Sequence, residues 1–455
     1  MVAHCGGVAG GDRGRCVSDG QHLAFLQLQR HSFPFATAVP VDRYLWLVVW
    51  RHLVVFTSGV VRDGFDLYVL RRVLAIAVGI SAQEESAAPD VHRGFTDFMS
   101  SNIKSAGLTH AEPASGFYRV AIVGAGSLKG KEVAEVLDER NFPSSDVKLL
   151  DDDESLGQLE TVKDEVTFIQ KVRAEQFEHV DFTFFASDSD CTRKNWKRVE
   201  KSGSAIVDLS GALEDEPGAV IRAPWVERQL GQTFTPELQP GPAVVAHPIA
   251  VALALLVVRT HTVSPIRRAV STVFEPASEH GQKGMDELHE QTVNLLSFQQ
   301  LPKKIFDVQV AFNMVARYGE QSATKLSSIT DRIVKHYRKI VGERAPVPSV
   351  LTLQAPIFHG HAFSLNVQFE DRADVAQISR ALAGEHVSLI GSSEEAPNNV
   401  NAAGQGDILV SVTPDSSDPN SVWIWAASDN LQVAASTAVE AAEGMAAARP
   451  RGKIQ

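Results

Sequence analysis

A chain of 455 residues, 44% hydrophobic and 22% charged, carries enough apolar material for two or more packed domains and reads as globular. Its formal net charge of -12 offers no general attraction to nucleic acid or to an anionic membrane surface, which leaves small-molecule work as the expected class. The three cysteines, Cys5, Cys16 and Cys191, match no metal or disulfide spacing and suit a reducing cytoplasm.

The first hundred residues differ in composition from the rest. No lysine occurs before Lys104 and no glutamate before Glu84. The apolar run YLWLVVWRHLVVFTSGVV from Tyr44 is interrupted by Arg51 and His52, short of an unbroken membrane span, and it lacks the pattern of a signal peptide. Residues 1–115 are therefore expected to be an atypical extension, poorly ordered or not native, with Met99 as a candidate start.

From Tyr118 the text becomes regular in YRVAIVGAGSLKGKEVAEVLDERNFP. Val120 to Val123 suit a buried parallel strand, and Val133, Val136 and Leu137 recur at helical spacing after a glycine turn. In such a turn the unpaired amides of a helix start can approach a pyrophosphate only if side chains are small. Gly124, Gly126, Ser127, Leu128 and Gly130 are the candidate cofactor-binding residues; a glycine turn that only packs helix on strand is the plainer alternative.

The next strand, VKLL from Val147, ends in Asp151, Asp152, Asp153 and Glu154. Asp151 there would hydrogen-bond a ribose 2'-hydroxyl and favour NAD over NADP, or else the run is a solvated acidic loop. VDFTFFAS from Val180 and SAIVDLSG from Ser204 read as further strands alternating with the helical CTRKNWKRVEKSG. That alternation predicts an α/β fold with a doubly wound parallel sheet. Cys191, in SDSDCTR, reads as a surface or core thiol at a helix start rather than a nucleophile.

Later pieces follow in the order DLSGALE, AHPIA, FNMVARYGEQ, RIVKHYRKIV, QAPIFHGH and SDNLQVAAS. Together with GAGSLKG they resemble the aspartate-semialdehyde dehydrogenase family from about Tyr118 onward. The resemblance implies a Rossmann-type NAD(P)-binding domain over 116–248, an α+β substrate and dimerisation domain over 249–425, and a C-terminal helix returning to the first domain within 426–455. It also implies a homodimer, NAD or NADP as cofactor, a place in amino-acid biosynthesis and a cytoplasmic location, with no nucleic-acid or membrane partner. Family members reduce an acyl phosphate with NADPH through a thioester on cysteine. That chemistry needs a thiolate, a histidine to handle its proton, and cationic side chains for carboxylate and phosphate.

Several of those requirements are missing here. Laying AHPIA on the family's N-P-N-C puts Ala250 at the nucleophile, where a methyl group cannot form a thioester. Glu214 stands at the phosphate-binding arginine and Gln354 at the substrate arginine. Ile329 replaces an acid, while Arg332 keeps positive charge as a candidate substrate ligand. His361 matches the catalytic histidine, and Asn430 matches an asparagine near the nicotinamide without the lysine-glycine pair that follows it. Glu275 or a neighbour takes the place of the family's glutamine, and Ser127 that of the middle loop glycine, where its amide could still serve.

His247, His280 and His359 could share the cleft of His361, but no carboxylate stands at ligand spacing and no metal site is expected. Leu288, Val293 and Leu296 read as a helical stripe on a domain or dimer core. Three functions remain open. The phosphorylating dehydrogenase chemistry of the family could be lost while the fold persists as a pseudoenzyme; hydride could pass directly to a carbonyl or imine with His361 as proton donor; or a dimer could bind a partner without catalysis.

Overall fold

The computed structural model describes residues 118–152, 157–162, 165–232 and 241–448; the expectations about residues 1–115 lie outside them. The chain opens with β1 (Tyr118–Val123), α1 (Leu128–Glu139) and β2 (Ser144–Asp151), then β3 (Leu159–Val162), β4 (Glu165–Phe168), β5 (Gln170–Lys171) and β6 (Phe182–Phe185). It continues through α2 (Ser189–Ser202), β7 (Ala205–Asp208), β8 (Val220–Arg222), α3 (Pro224–Gln229) and β9 (Ala243–Val245).

Seven of these strands form one sheet in the order β5-β2-β1-β6-β7-β9-β8, and every pairing in it is parallel. Val120, Ile122, Phe182 and Phe184 are wholly buried on one face and Ala121, Val123 and Phe185 on the other, as a sheet covered on both faces demands. The strand order reverses between β1 and β6, and the glycine loop lies at that switch point, the usual ligand crevice of an open α/β sheet.

The second half contains α4 (Pro248–Val263), β10 (Ile266–Glu275), α5 (Gly281–Leu296), α6 (Leu326–Val341), β11 (Ser349–Gln354), β12 (His361–Phe369) and α7 (Val375–Leu382). After β13 (Val387–Leu389), the short α8 (Asn399–Ala402), β14 (Ile408–Pro414) and β15 (Ser421–Ser428), the chain closes with α9 (Asn430–Ala448). Six strands make a mixed sheet in the order β11-β10-β12-β15-β14-β13. The boundary expected at residue 425 falls inside β15, which runs on to Ser428 as the partner of His361.

Two helices tie the halves together. In α4 the residues from Pro248 to Thr260 are all buried, so it is apolar all round and belongs to the largest core cluster. Truncating Leu253 or Leu256 there to alanine removes about 2–5 kcal/mol of stability. In α9 the alanines 434, 435, 438 and 442 pack into the core of the first sheet with Val133 and Val136 of α1. Small side chains permit that approach, and the buried carboxylate of Glu440 anchors it through Trp225 Nε1 at 3.1 Å and Arg228 Nη1 at 2.7 Å.

The stripe expected on α5 splits. Leu288 is buried, whereas Val293 and Leu296 are exposed, so within this chain the stripe is not a continuous core face. What secures α5 is polar: Glu287 accepts from the amides of Lys304, Ile305 and Phe306, and Gln291 accepts from Val310 and Ala311.

Candidate active site

The register of the second sheet assembles the site. Gln354 ends β11 opposite Glu275, which ends β10; Phe274 pairs with Ala362, so the next step along the ladder sets Glu275 beside His361; and His361 pairs with Ser428. Directly paired residues share a face, which puts Gln354, Glu275, His361 and Ser428 in one row across four strands. All four are buried.

Within that row, His361 Nε2 lies 3.1 Å from Glu275 Oε2, and His361 Nδ1 has no partner although the residue is 0% exposed. Burial raises the Glu275 carboxyl above its ordinary value, with His361 opposing that shift. Gln354 is fully engaged inside the protein: Nε2 donates to the carbonyls of Glu275 and Ala355, and Oε1 accepts from Tyr318 Oη at 2.6 Å. It is a satisfied neutral amide rather than a carboxylate receptor.

The turn AHPIA enters from the other side. His247 is the N-cap of α4, its Nδ1 accepting from Ile249 N at 3.2 Å, and Ala250 sits fully buried in the first turn with only a methyl group to offer. The His247 and His361 ring centroids are 5.7 Å apart. Burial holds His247 well below its usual value, so the ring is neutral. Ligand-type atoms of His247, Glu275 and His361 all lie within 4.8 Å of one another. The sequence spacing gave no carboxylate for a histidine cluster, because Glu275 reaches the site only through strand pairing.

A second relay reaches this turn from α6. His336 Nδ1 accepts from His247 N at 2.9 Å, and His336 Nε2 lies 2.9 Å from Glu214 Oε2. With Nδ1 accepting, a neutral His336 donates through Nε2. Glu214 also pairs with Arg332 Nε and with Lys335 Nζ, each at 3.3 Å. Burial raises the Glu214 carboxyl, but His336, Arg332 and Lys335 outweigh it and bring it down to about 2. Arg332, expected to receive substrate, is thus paired with Glu214, the acid expected at the phosphate-binding position. Its guanidinium also lies against Gly211, where an added Cβ would meet Arg332 Cζ at 2.9 Å.

The glycine loop is tighter than its spacing implies. Gly124 has φ +83° and an added Cβ would lie 2.4 Å from Ser187 N, while at Gly130 it would lie 2.1 Å from Gly124 O. Both glycines serve close packing of loop, helix and strand. The Ser127 amide, expected to be available to a ligand, donates to Gly124 O at 3.0 Å, and Ser127 Oγ caps α1 by accepting from Gly130 N. Asp151 is neither a free ribose carboxylate nor a solvated acid: it is buried, and accepts from Gly126 N at 3.0 Å and Asp152 N at 2.8 Å. Leu128 begins α1 beside these residues.

Glu279, which sequence reasoning passed over, occupies the space between the halves. Its carboxylate lies 3.3 Å from Lys129 Nζ in the glycine loop and accepts from Asn430 Nδ2 at 2.8 Å. Burial opposes its charge, but Lys129 foremost and the Asn430 hydrogen bond hold its carboxyl far below the usual range. Asn430 Oδ1 accepts from Ser278 Oγ and Gly360 N, so its amide is spoken for at both ends.

The other expected histidines diverge. His359 pairs with Asp429 Oδ2 at 2.8 Å and touches Ser278 Oγ at 3.3 Å. His280 Nε2 lies 2.8 Å from Tyr318 Oη, and burial brings the ring down to about 4. Cys191 is half-buried at the start of α2, where burial pushes its thiol up, against any nucleophilic role. Among the described residues no helix is long and apolar enough to cross a membrane.

A parallel α/β domain with its glycine loop at the switch point, joined to a mixed-sheet domain that carries a buried histidine, defines a two-domain protein of the dinucleotide-fold class. Residues 119–233 match the semialdehyde dehydrogenase NAD binding domain, and residues 259–433 match the semialdehyde dehydrogenase dimerisation domain. The chain is 31% identical over 315 residues to a USG-1 protein homolog of Pseudomonas aeruginosa, covering 69% of this chain and 93% of that one. It is 28% identical over 332 residues to an aspartate-semialdehyde dehydrogenase of Rickettsia conorii, covering 72% and 97%. The structure of a probable aspartate-semialdehyde dehydrogenase from Pseudomonas aeruginosa superimposes with a TM-score of 0.65 at 30% identity, over 72% of this chain and 98% of that one. The chain belongs to the aspartate-semialdehyde dehydrogenase family.

Proposed function

We propose that this chain keeps the family's two-domain frame and dinucleotide cleft but does not run the phosphorylating dehydrogenase reaction. The observation that carries the reading is Ala250, a buried methyl in the first turn of α4, where the alignment requires a thiolate. The replaced anion sites support it. Gln354 has its amide satisfied internally, and Glu214 presents a carboxylate where phosphate would need a cation. Loss of groups that act as one unit leaves little beyond background.

A nicotinamide dinucleotide would lie at the switch point against the start of α1, where Leu128 and Lys129 would offer amides, those of Gly124 to Ser127 and of Gly130 being bonded within the protein. Asn430 and Lys129 would border its reactive end; when bound, the group supplies or accepts hydride. Exposed Val293, Leu296, Phe298, Phe312 and Met314, in a segment that matches a dimerisation domain, support a homodimer. By family membership the setting is cytoplasmic amino-acid metabolism.

The Glu275–His361 pair favours a second reading, direct hydride exchange with a carbonyl compound. There His361 Nε2, held by Glu275, would hold and deliver the proton without any covalent intermediate. Purified protein assayed with aspartate semialdehyde, phosphate and NADP or NAD, beside a cofactor titration, tests the first reading; robust phosphate-dependent turnover overturns it. Reduction across a carbonyl panel with NADH or NADPH, abolished in His361→Gln, would establish the second.

A further inference from the structure

Two of the departures from the family pattern converge on one point. Where the family has the asparagine of N-P-N-C this chain has His247, and where it has a glutamine at the end of the corresponding strand this chain has Glu275. Each exchange turns an amide into a better ligand for a transition metal, one an imidazole and one a carboxylate. Both side chains reach His361, which the family uses for proton transfer, and Ala250 leaves the turn without a competing thiol.

We propose that His247, Glu275 and His361 form a binding site for a divalent transition metal of the zinc class. Their ligand-type atoms fall within 4.8 Å of one another, close enough that small side-chain movements bring all three to the roughly 2.0–2.2 Å bonds of one zinc ion. The donors come from three separate elements that the fold holds rigidly: the N-cap of α4, the last residue of β10 and the first of β12. All three side chains are buried, and His361 Nδ1 has no partner although no solvent reaches it. Nε2 of that ring meets the buried Glu275 carboxylate, while Nδ1 is left as an orphan that packing alone explains poorly. Two histidines and one carboxylate leave further coordination positions for water or a substrate oxygen, as in open metal sites.

The surroundings supply outer partners. His247 is oriented through its backbone amide by His336, which is itself held by Glu214. Two contacts oppose loading. The 3.1 Å hydrogen bond between His361 Nε2 and Glu275 Oε2 gives way to the ion, its proton moving to His361 Nδ1, and His247 Nδ1 accepts from Ile249 N, so an ion bound at His247 Nε2 sends the ring proton to Nδ1 and breaks the cap bond. The exchange sets these two hydrogen bonds against two imidazoles and a carboxylate on one divalent ion. Acid should release it, because the same atoms then take protons.

The site does not depend on whether the chain turns over any substrate, so its test reads binding rather than activity. Full-length protein is stripped with a chelator, then titrated with Zn²⁺ by calorimetry and with Co²⁺ by visible absorption. The expected result is about one tight equivalent with the ligand-field bands of a low-coordinate Co²⁺ site. The variants His247→Asn and Glu275→Gln restore the family's residues and are therefore tolerated by the fold. Each should weaken binding by more than the roughly 10–100-fold that loss of an outer partner causes, and should abolish the bands. Circular dichroism verifies that each variant is folded; one that is not is replaced by His361→Gln. Failure of the wild-type protein to take up metal, or uptake that survives these substitutions unchanged, overturns the proposal.

Discussion

Glu275 and His361 stand one step beyond the last paired residues of two antiparallel strands, and their side chains meet at 3.1 Å where solvent does not reach. Strand pairing, rather than any local motif, makes this contact. Because burial raises the Glu275 carboxyl, its ionisation works against the fold: the penalty is absent below the unfolded value of 4.5 and develops as pH rises above it. In chelator-treated protein, Glu275→Gln should therefore increase stability at pH 7 by about 1–2 kcal/mol, with the gain vanishing in acid. Urea unfolding at pH 7 and pH 4 measures it, and a net loss at pH 7 would show that the ion pair outweighs its desolvation.

Glu214 has the opposite sign. Its folded value of about 2 lies below the unfolded 4.5, so its contribution is present above pH 4.5 and is lost as pH falls toward 2. Glu214→Gln should remove roughly 2–3 kcal/mol at neutral pH and flatten the acid limb of the melting temperature against pH. An unchanged acid limb would mean that Arg332 and Lys335 find other partners.

Glu279 sits between Lys129 and Asn430, the two side chains that would border a nicotinamide. Glu279→Gly should free both and tighten NADH or NADPH binding by about 5–30-fold, equivalent to roughly 1–2 kcal/mol. Quenching of protein fluorescence during a cofactor titration reports it. Equal or weaker binding would place the cofactor's end elsewhere.

A thiol placed at Ala250 should not by itself confer the family's chemistry. Ala250→Cys adds an atom to a fully buried site at a cost of about 1–3 kcal/mol, and leaves Gln354 and Glu214, neither of them cationic, unchanged. Phosphate-dependent oxidation of aspartate semialdehyde should remain at background in this variant. Activity well above background would show that the anion contacts come from residues other than those two positions.

Local pattern sufficed for much of this molecule. The apolar run from Val120, the glycine turn and the helical spacing of Val133, Val136 and Leu137 announced the strand-loop-helix start, since these periods are set by backbone geometry. The ordered pieces from GAGSLKG to SDNLQVAAS carried the family. Partnership could not be read. That Asp151 would take the Gly126 amide, that Ser127 would spend its own amide inside the loop, and that Arg332 would pair with Glu214 are contacts over as many as 118 positions of sequence, settled by how helices dock on sheets. The meeting of His247, Glu275 and His361 is of the same kind: residue type was visible in the chain, but only the register of β10 against β12 and the docking of α4 bring the three donors together.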